Sequence, residues 1–240
     1  MRILILNWRS LKDPLAGGAE IATFEHAKRW VKNHKAEVVW LSPKYDKKIS
    51  NEIIDGINFQ YIGFPLTRNL PQLFFAYPAF CLQILWAYAT RFRGSVDTVI
   101  DEVHGLPFLT PLFVKEKIIV YIHEVAGEIW DLMYPFPINK IGRFLEKIIF
   151  LPYKKTEFVG TKIVAEDLVA LSIPKKNISI VNYGVTAPDI KAVPPKNKNL
   201  TIVFLNRLVK MKGPERTIEV FNRVVKKEKD IEADIEAAEK

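Results

Sequence analysis

The order of apolar and polar positions divides the chain into short runs of two kinds. β-rich runs occur at RILILN (2–7), EVVWLS (37–42), NFQYIGF (58–64), VDTVID (96–101), KIIVYI (117–122), TEFVG (156–160) and ISIVN (178–182). Several are apolar at consecutive rather than alternate positions, which predicts strands covered on both faces. Helical periodicity lies between them. In residues 19–34, Ile21, Phe24, Ala27, Trp30 and Val31 recur at spacings of three and four, with Glu25 and Arg29 one turn apart on the polar side. Residues 139–152 repeat the pattern through Ile141, Phe144, Leu145, Ile148 and Ile149, and residues 161–171 through Ile163, Val164, Leu168 and Leu171. Such alternation with short connections predicts an α/β fold over residues 1–186, a Rossmann-like parallel sheet with helices on both faces.

Three segments stand apart. LPQLFFAYPAFCLQILWAYA (70–89) is uncharged and long enough to span a bilayer, but it holds Pro71, Pro78 and two glutamines and lies between two strands of one sheet. A buried or partly buried domain helix is expected there, with a membrane-surface patch as the alternative. Residues 187–199, APDIKAVPPKNKN, read as a linker. Then TIVFLNRL predicts a strand and Pro214 opens a helix, so residues 200–240 form one β-α unit. One strand and one helix bury no core alone. That unit is expected either to pack back on the parent domain or to pair with another chain, the second of which would be a homodimer or a donor-domain partner.

Composition narrows the classes. The 240 residues are 49% hydrophobic, ample for a sizeable core. Cys81 is the only cysteine, which excludes an intrachain disulfide and a thiolate zinc site. HEVAGE lacks the second histidine of a zinc-protease motif. The first apolar stretch is too short for a signal peptide, so a cytoplasmic protein is expected. A net charge of +8 is spread over KYDKK, YKK, PKKN, PPKNKN and VVKKEK. It suits solvated surface first, then anionic lipid headgroups or phosphorylated ligands. No zinc finger, basic zipper or RNA-binding strand signature accompanies it, and nucleic acid is not expected.

Ligands of open parallel sheets bind beyond the carboxyl ends of the strands. On that rim lie Gly17 and Gly18 of DPLAGGAE, then Glu102 and His104, His123 and Glu124, Thr161, and Tyr183 with Gly184. Each has a plain structural reading. The glycines could be turn punctuation, His104 could cap a short helix, His123 could bond nearby backbone, and Thr161 is chiefly an N-cap. The functional reading of the glycines is bare backbone N–H at a helix start, suited to a diphosphate. The loop is not G-x-G-x-x-G, which argues against a nicotinamide-dependent oxidoreductase.

GGAE opening the first helix, YIHE after a middle strand, FVGTKIVAEDLVALSIPKKNISIVNYGV and FLNRLVKMKG occur in order at strand ends. Together they resemble family 4 (group 1) glycosyltransferases, two-domain enzymes of the GT-B architecture, over residues 1 to about 225. The resemblance implies a nucleotide-sugar-dependent, retaining transferase moving a hexosyl group to a lipid-linked or polysaccharide acceptor at the cytoplasmic face of a membrane, without metal or other cofactor. In that setting Gly17 and Gly18 would approach the donor sugar and its phosphates, with Glu20 as a further member of the loop. His123, the catalytic candidate, would hydrogen-bond the transferred sugar or help stabilise charge near it, and Arg207 and Lys212 would neutralise the departing diphosphate. Glu102, His104 and Glu124 are candidates for the acceptor side. Asn206 replaces the usual glycine before the arginine, and Tyr183 interrupts an asparagine-glycine pair. The paired-glutamate motif of the family's second domain is absent, which implies a truncated donor domain and a chain inactive by itself. The alternative is a non-catalytic binding module, or one subunit of a split transferase that needs a partner chain.

Overall fold

A computed structural model describes residues 1–63, 70–185, 195, 202–206, 208 and 212–227. The elements run β1 (Arg2–Leu6), α1 (Gly18–His34), β2 (Glu37–Pro43), β3 (Glu52–Ile54), β4 (Ile57–Ile62), α2 (Leu70–Ala87), β5 (Thr98–His104), β6 (Lys117–Glu124), α3 (Ile129–Met133), α4 (Ile138–Ile149), β7 (Glu157–Gly160), α5 (Lys162–Ala170), β8 (Ile178–Ile180) and α6 (Pro214–Lys227). The eight strands form one sheet in the order β3-β4-β2-β1-β5-β6-β7-β8. Every pairing is parallel except β3 with β4. This is the expected Rossmann-like α/β fold.

The continuous apolar runs follow from cover on both faces. On one side Leu4, Leu6, Val39 and Leu41 pack with Phe80, Ile84 and Ala87 of α2. On the other, Ile3, Ile5, Val38 and Trp40 pack with Phe24 and Ala27 of α1. Side chains of a strand alternate in direction, so β1 and β2 feed two cores at once. Each fully buried Leu or Ile contributes about 2 kcal/mol by removal from water. A third cluster joins Val120 and Ile122 of β6 to Phe150, Tyr153, Phe158, Val164 and Leu168.

Several expectations change. β3 arises from a hairpin at Asp55 and Gly56, with φ of 48° and 81°, followed by β4. Asp-Gly is a turn pair that tolerates such angles. β5 continues through Glu102 and His104, so these residues belong to the strand rather than following it. Thr161 does hold the N-cap position of α5, but its side chain makes no capping hydrogen bond. In the expected strand at 201–208, residues 202–206 and 208 are described and none is in a strand, whereas α6 starts at Pro214 as expected.

α4 is turned in an unexpected direction. Glu146 and Phe150, one turn apart, are buried, while Ile141, Phe144, Leu145 and Ile148 are exposed. Glu146 accepts hydrogen bonds from the N–H groups of Ala126 (2.8 Å) and Gly127 (2.9 Å), in the loop that leaves β6. Charge-assisted bonds to two backbone donors outweigh a helix's preference for its apolar side.

Contacts divide the chain into one unit of Met1–Gly127 with Phe144–Gly184 and another of Glu128–Arg143 with Val185–Lys240. Among the described residues no helix is long and apolar enough to cross a membrane. The helix expected over 70–89 is present as α2, and its Leu82 and Trp86 are exposed. The expected linker, 187–199, lies outside the described residues apart from 195.

Candidate functional site

β1 pairs with β2 on one side and with β5 on the other, so the winding of the sheet reverses between β1 and β5. The crevice beyond the carboxyl ends at such a switch point is where open α/β sheets take ligands. Glu20 of α1 and Glu102 of β5 stand on either side of it, with Tyr121 and His123 on the neighbouring β6.

Strand alternation sorts the residues. In β5, Asp101 and Glu102 point to opposite faces. Asp101 accepts hydrogen bonds from the Phe108 N–H (3.2 Å), Thr110 Oγ1 (2.6 Å) and Tyr153 Oη (2.5 Å), a satisfied structural hub. Glu102 and His104 share the α1 side with Tyr121, which is opposite Glu102 in register, and with His123 two residues on.

At the start of α1, Gly17 occupies the N-cap and Gly18 the first helical position. The Gly17 N–H donates to Glu20 Oε2 at 2.6 Å, so the helix start is satisfied by its own carboxylate. The second Glu20 oxygen lies 3.7 Å from Arg9 Nη1 and makes no hydrogen bond. His123 Nε2 is 3.1 Å from Glu102 Oε1 and 3.3 Å from Thr23 Oγ1, while Nδ1 is 2.8 Å from Tyr183 Oη. The Tyr183 ring stacks on the imidazole at 5.8 Å and 11°.

Burial dominates the electrostatics. It lowers His123 to about 4, against a weaker upward pull from Glu20. It also lowers His104, with Glu20 pulling upward and Arg9 downward. Burial, then the Glu20 charge, push Glu102 well above the usual carboxylate range, and Thr23 and Arg9 only partly offset this. The imidazoles are neutral at pH 7, able to donate at one nitrogen and accept at the other. Both Glu102 oxygens, Glu20 Oε1, His104 Nδ1, Tyr121 Oη and Asn7 Nδ2 are buried without a hydrogen-bond partner. So many orphaned polar atoms at one crevice call for an explanation, since buried polar groups are normally paired.

The structure therefore brings Glu20, Glu102, His104 and His123 together, with Gly17 and Gly18 at the neighbouring helix start. Glu124 ends β6, and its charge bears on His104 and Tyr183. Lys212 belongs to the other unit. It is exposed beside Gly213, Arg216, Thr217 and Val220, around a hollow of about 380 Å³ at the start of α6. Arg207 lies outside the described residues. Arg9, Thr23 and Tyr121 were not anticipated. Arg9 follows β1 at the ligand end, Thr23 sits three residues after Glu20, and Tyr121 two before His123. The rim position and the helix and strand periods were the available signals. Among the described residues no group of three or more His, Cys, Asp or Glu could hold a metal ion.

No protein-family model and no curated protein matches the chain. Among solved structures it is similar to sucrose-phosphate synthase from Thermosynechococcus elongatus, at 13% identity and a TM-score of 0.55, covering 77% of this chain and 48% of that one. An α,α-trehalose-phosphate synthase (UDP-forming) from Burkholderia vietnamiensis matches at 16% identity and a TM-score of 0.42, over 71% of this chain and 41% of that one. The chain thus spans less than half the length of either. The first likeness shows the fold alone, a Rossmann-like α/β domain.

Proposed function

We propose that this chain is the N-terminal, acceptor-side domain of a family 4, nucleotide-sugar-dependent, retaining glycosyltransferase. The observation that carries the reading is the set of buried polar atoms of Glu20, Glu102, His104 and Tyr121 that complete no hydrogen bond, beside the neutral His123. A sugar presents many neutral hydroxyls, each able to donate and accept. Glu102, His104 and Glu124 would hold the hydroxyls of a glycan or lipid-linked acceptor. His123 would hydrogen-bond the transferred hexosyl group as a neutral ring once Tyr183 gives way. Gly17 and Gly18 let the donor come close.

Arg207 and Lys212 would neutralise the nucleotide diphosphate as it leaves, stabilisation placed where charge develops. The residues argued for here supply hydrogen bonds and positive charge, and the reading requires no metal. A second, donor-side lobe is needed to complete the cleft, so the chain alone should bind nucleotide sugar weakly and transfer nothing. The acceptor side would work at the cytoplasmic face of a membrane, a reading that the net charge of +8 supports.

The test is a nuclear magnetic resonance titration of the 240-residue chain with nucleotide hexoses and with oligosaccharides, following the His104 and His123 ring signals. Selective shifts that disappear in Glu102→Ala are expected. Silence of both rings to every sugar would overturn the reading, and robust sugar transfer by the chain alone would remove the need for a second lobe.

A further inference from the structure

The outward apolar arc of α4 serves no part of that site. From Phe144 onward the helix and the turn after it expose Phe144 (64%), Leu145 (40%), Ile148 (42%) and Leu151 (51%). Phe144 and Ile148 are one turn apart with Leu145 between the same turns, so the three form a continuous patch that Leu151 extends by its spacing. Lys147, Lys154 and Lys155 flank it, all exposed, and none is in an ion pair among the described residues. The one acidic residue of the stretch FLEKIIFLPYKK, Glu146, is turned inward onto the Ala126 and Gly127 N–H groups. The geometry is therefore fixed from inside the domain: the same bonds that seat Glu146 hold the apolar arc outward.

We infer that the α4 face bearing Phe144, Leu145, Ile148, Leu151, Lys147, Lys154 and Lys155 docks on an anionic lipid bilayer. Charge selects this occupant. Apolar side chains bordered by unpaired lysines match the acyl boundary and the phosphate layer of a bilayer at once. A second copy of the chain would bring the same lysines together across a two-fold axis with no exposed carboxylate of the stretch to meet them. A nucleic-acid backbone would use the lysines and leave the apolar side chains wet. α2 also exposes Leu82, Leu85 and Trp86, but that helix carries no lysine, and Arg91 is held over the Trp86 ring at 5.5 Å. The anionic contact thus belongs to α4, which deepens the membrane clause of the proposed function without depending on sugar chemistry.

Sedimentation of the full chain with phosphatidylcholine vesicles, with and without a one-third share of phosphatidylglycerol, tests the inference. Binding is expected only to the anionic vesicles, and it should weaken as salt rises. Changing Lys147, Lys154 and Lys155 together to Gln should weaken it on the order of a hundred-fold. Phe144→Ser with Ile148→Ser should abolish it, whereas Leu82→Ser with Trp86→Ser should leave it within about two-fold, since α2 carries no lysine. Circular dichroism checks the fold of each variant, and the lysine variant alters only exposed groups. Absence of wild-type binding, or loss only in the α2 variant, would overturn the inference. So would a dimer in light scattering that the Phe144 and Ile148 changes convert to monomer, since a second copy would then own the face. Sugar-induced shifts at His104 and His123 proceed in free solution, so the two readings fail separately.

Discussion

His123 Nε2 lies 3.1 Å from Glu102 Oε1, with the two side chains only 4% and 1% exposed, and neither oxygen of Glu102 completes a hydrogen bond. At that distance an ion pair would be the ordinary expectation. Burial works against it from both ends, holding the imidazole down to about 4 and the carboxyl well above its usual range. As pH falls the carboxyl therefore takes up its proton before the ring does. The pair passes from carboxylate and neutral ring to carboxylic acid and neutral ring. A crevice floor that stays uncharged on the imidazole side suits hydroxyl ligands better than phosphate, and it leaves the phosphate to cations elsewhere.

The depressed imidazole carries a stability cost on acidification. The unfolded ring takes a proton near 6.5 and the folded ring only near 4. The unfolded state thus binds more protons between these values, and the folded state loses stability as pH falls through that window, by roughly 3 kcal/mol in total. Ring-selective titration should give a His123 midpoint near 4. Urea unfolding should show a shallower acid loss for His123→Gln than for the wild type. A ring midpoint near 6.5 would refute the neutral-imidazole account of the site.

Glu102 acts in the opposite direction. Its folded value is raised, so its contribution is present below the unfolded value of 4.5 and is lost as pH rises through the folded value. At neutral pH the fold carries a buried carboxyl under pressure from the charge of Glu20. Glu102→Gln keeps the shape and removes the ionisation, and should raise stability near pH 8 by about 1 kcal/mol. The gain should vanish well below 4.5, where wild type and variant are both neutral. Thermal melts at the two ends of that range check this, and an unchanged melting temperature at high pH would count against it. Sugar binding should fall in the same variant, the trade expected of a residue retained for a ligand.

Asp101, one position earlier, gives the complementary result. Tyr153 Oη donates to its carboxylate at 2.5 Å and accepts the Thr110 N–H at 3.0 Å, all within the core on the far side of the sheet. Tyr153→Phe should cost about 2 kcal/mol, the value of a hydrogen bond to a charged partner plus an orphaned donor. Denaturant unfolding should show that loss, and sugar-induced shifts at His123 should be unchanged because the hub faces away from the crevice.

The parts of the fold legible in the sequence were those set by local repetition. Leu4 and Leu6 against Ile3 and Ile5 make β1 a continuous apolar run, and that run alone signals cover on two faces. The rim residues followed because a parallel sheet takes ligands at its carboxyl edge, although β5 and β6 run on through Glu102, His104, His123 and Glu124. β3 was not legible, since Glu52–Ile54 is only three residues long and its pairing depends on the Asp55-Gly56 turn. Nor was the attitude of α4. Periodicity located its apolar arc through Phe144 and Ile148, but the hydrogen bonds of Glu146 to a distant loop decide which way that arc points. Arg9 and Tyr121 were invisible for the same reason, because their meaning comes from Glu20 and Glu102, far away in the chain.

The two glycines of the first loop offer the sharpest separation of structure from function. Gly17 has φ of −143°, ordinary extended backbone, and a Cβ there would meet nothing nearer than Glu20 Oε2 at 3.8 Å. A Cβ on Gly18 would meet no atom within 4 Å, and this residue is already helical. Neither position needs glycine for the fold, and at Gly18 alanine should stabilise α1 by about 0.5–1 kcal/mol through lower chain entropy. If the bare backbone exists for a ligand to approach, a larger side chain should leave the melting temperature unchanged and obstruct only the ligand. Gly18→Val is therefore expected to fold as the wild type does and to weaken nucleotide-sugar binding by about ten-fold, the effect of roughly 1.4 kcal/mol. Equal binding by Gly18→Val and wild type in calorimetric titration would return the diglycine to simple turn punctuation and take the donor away from this loop.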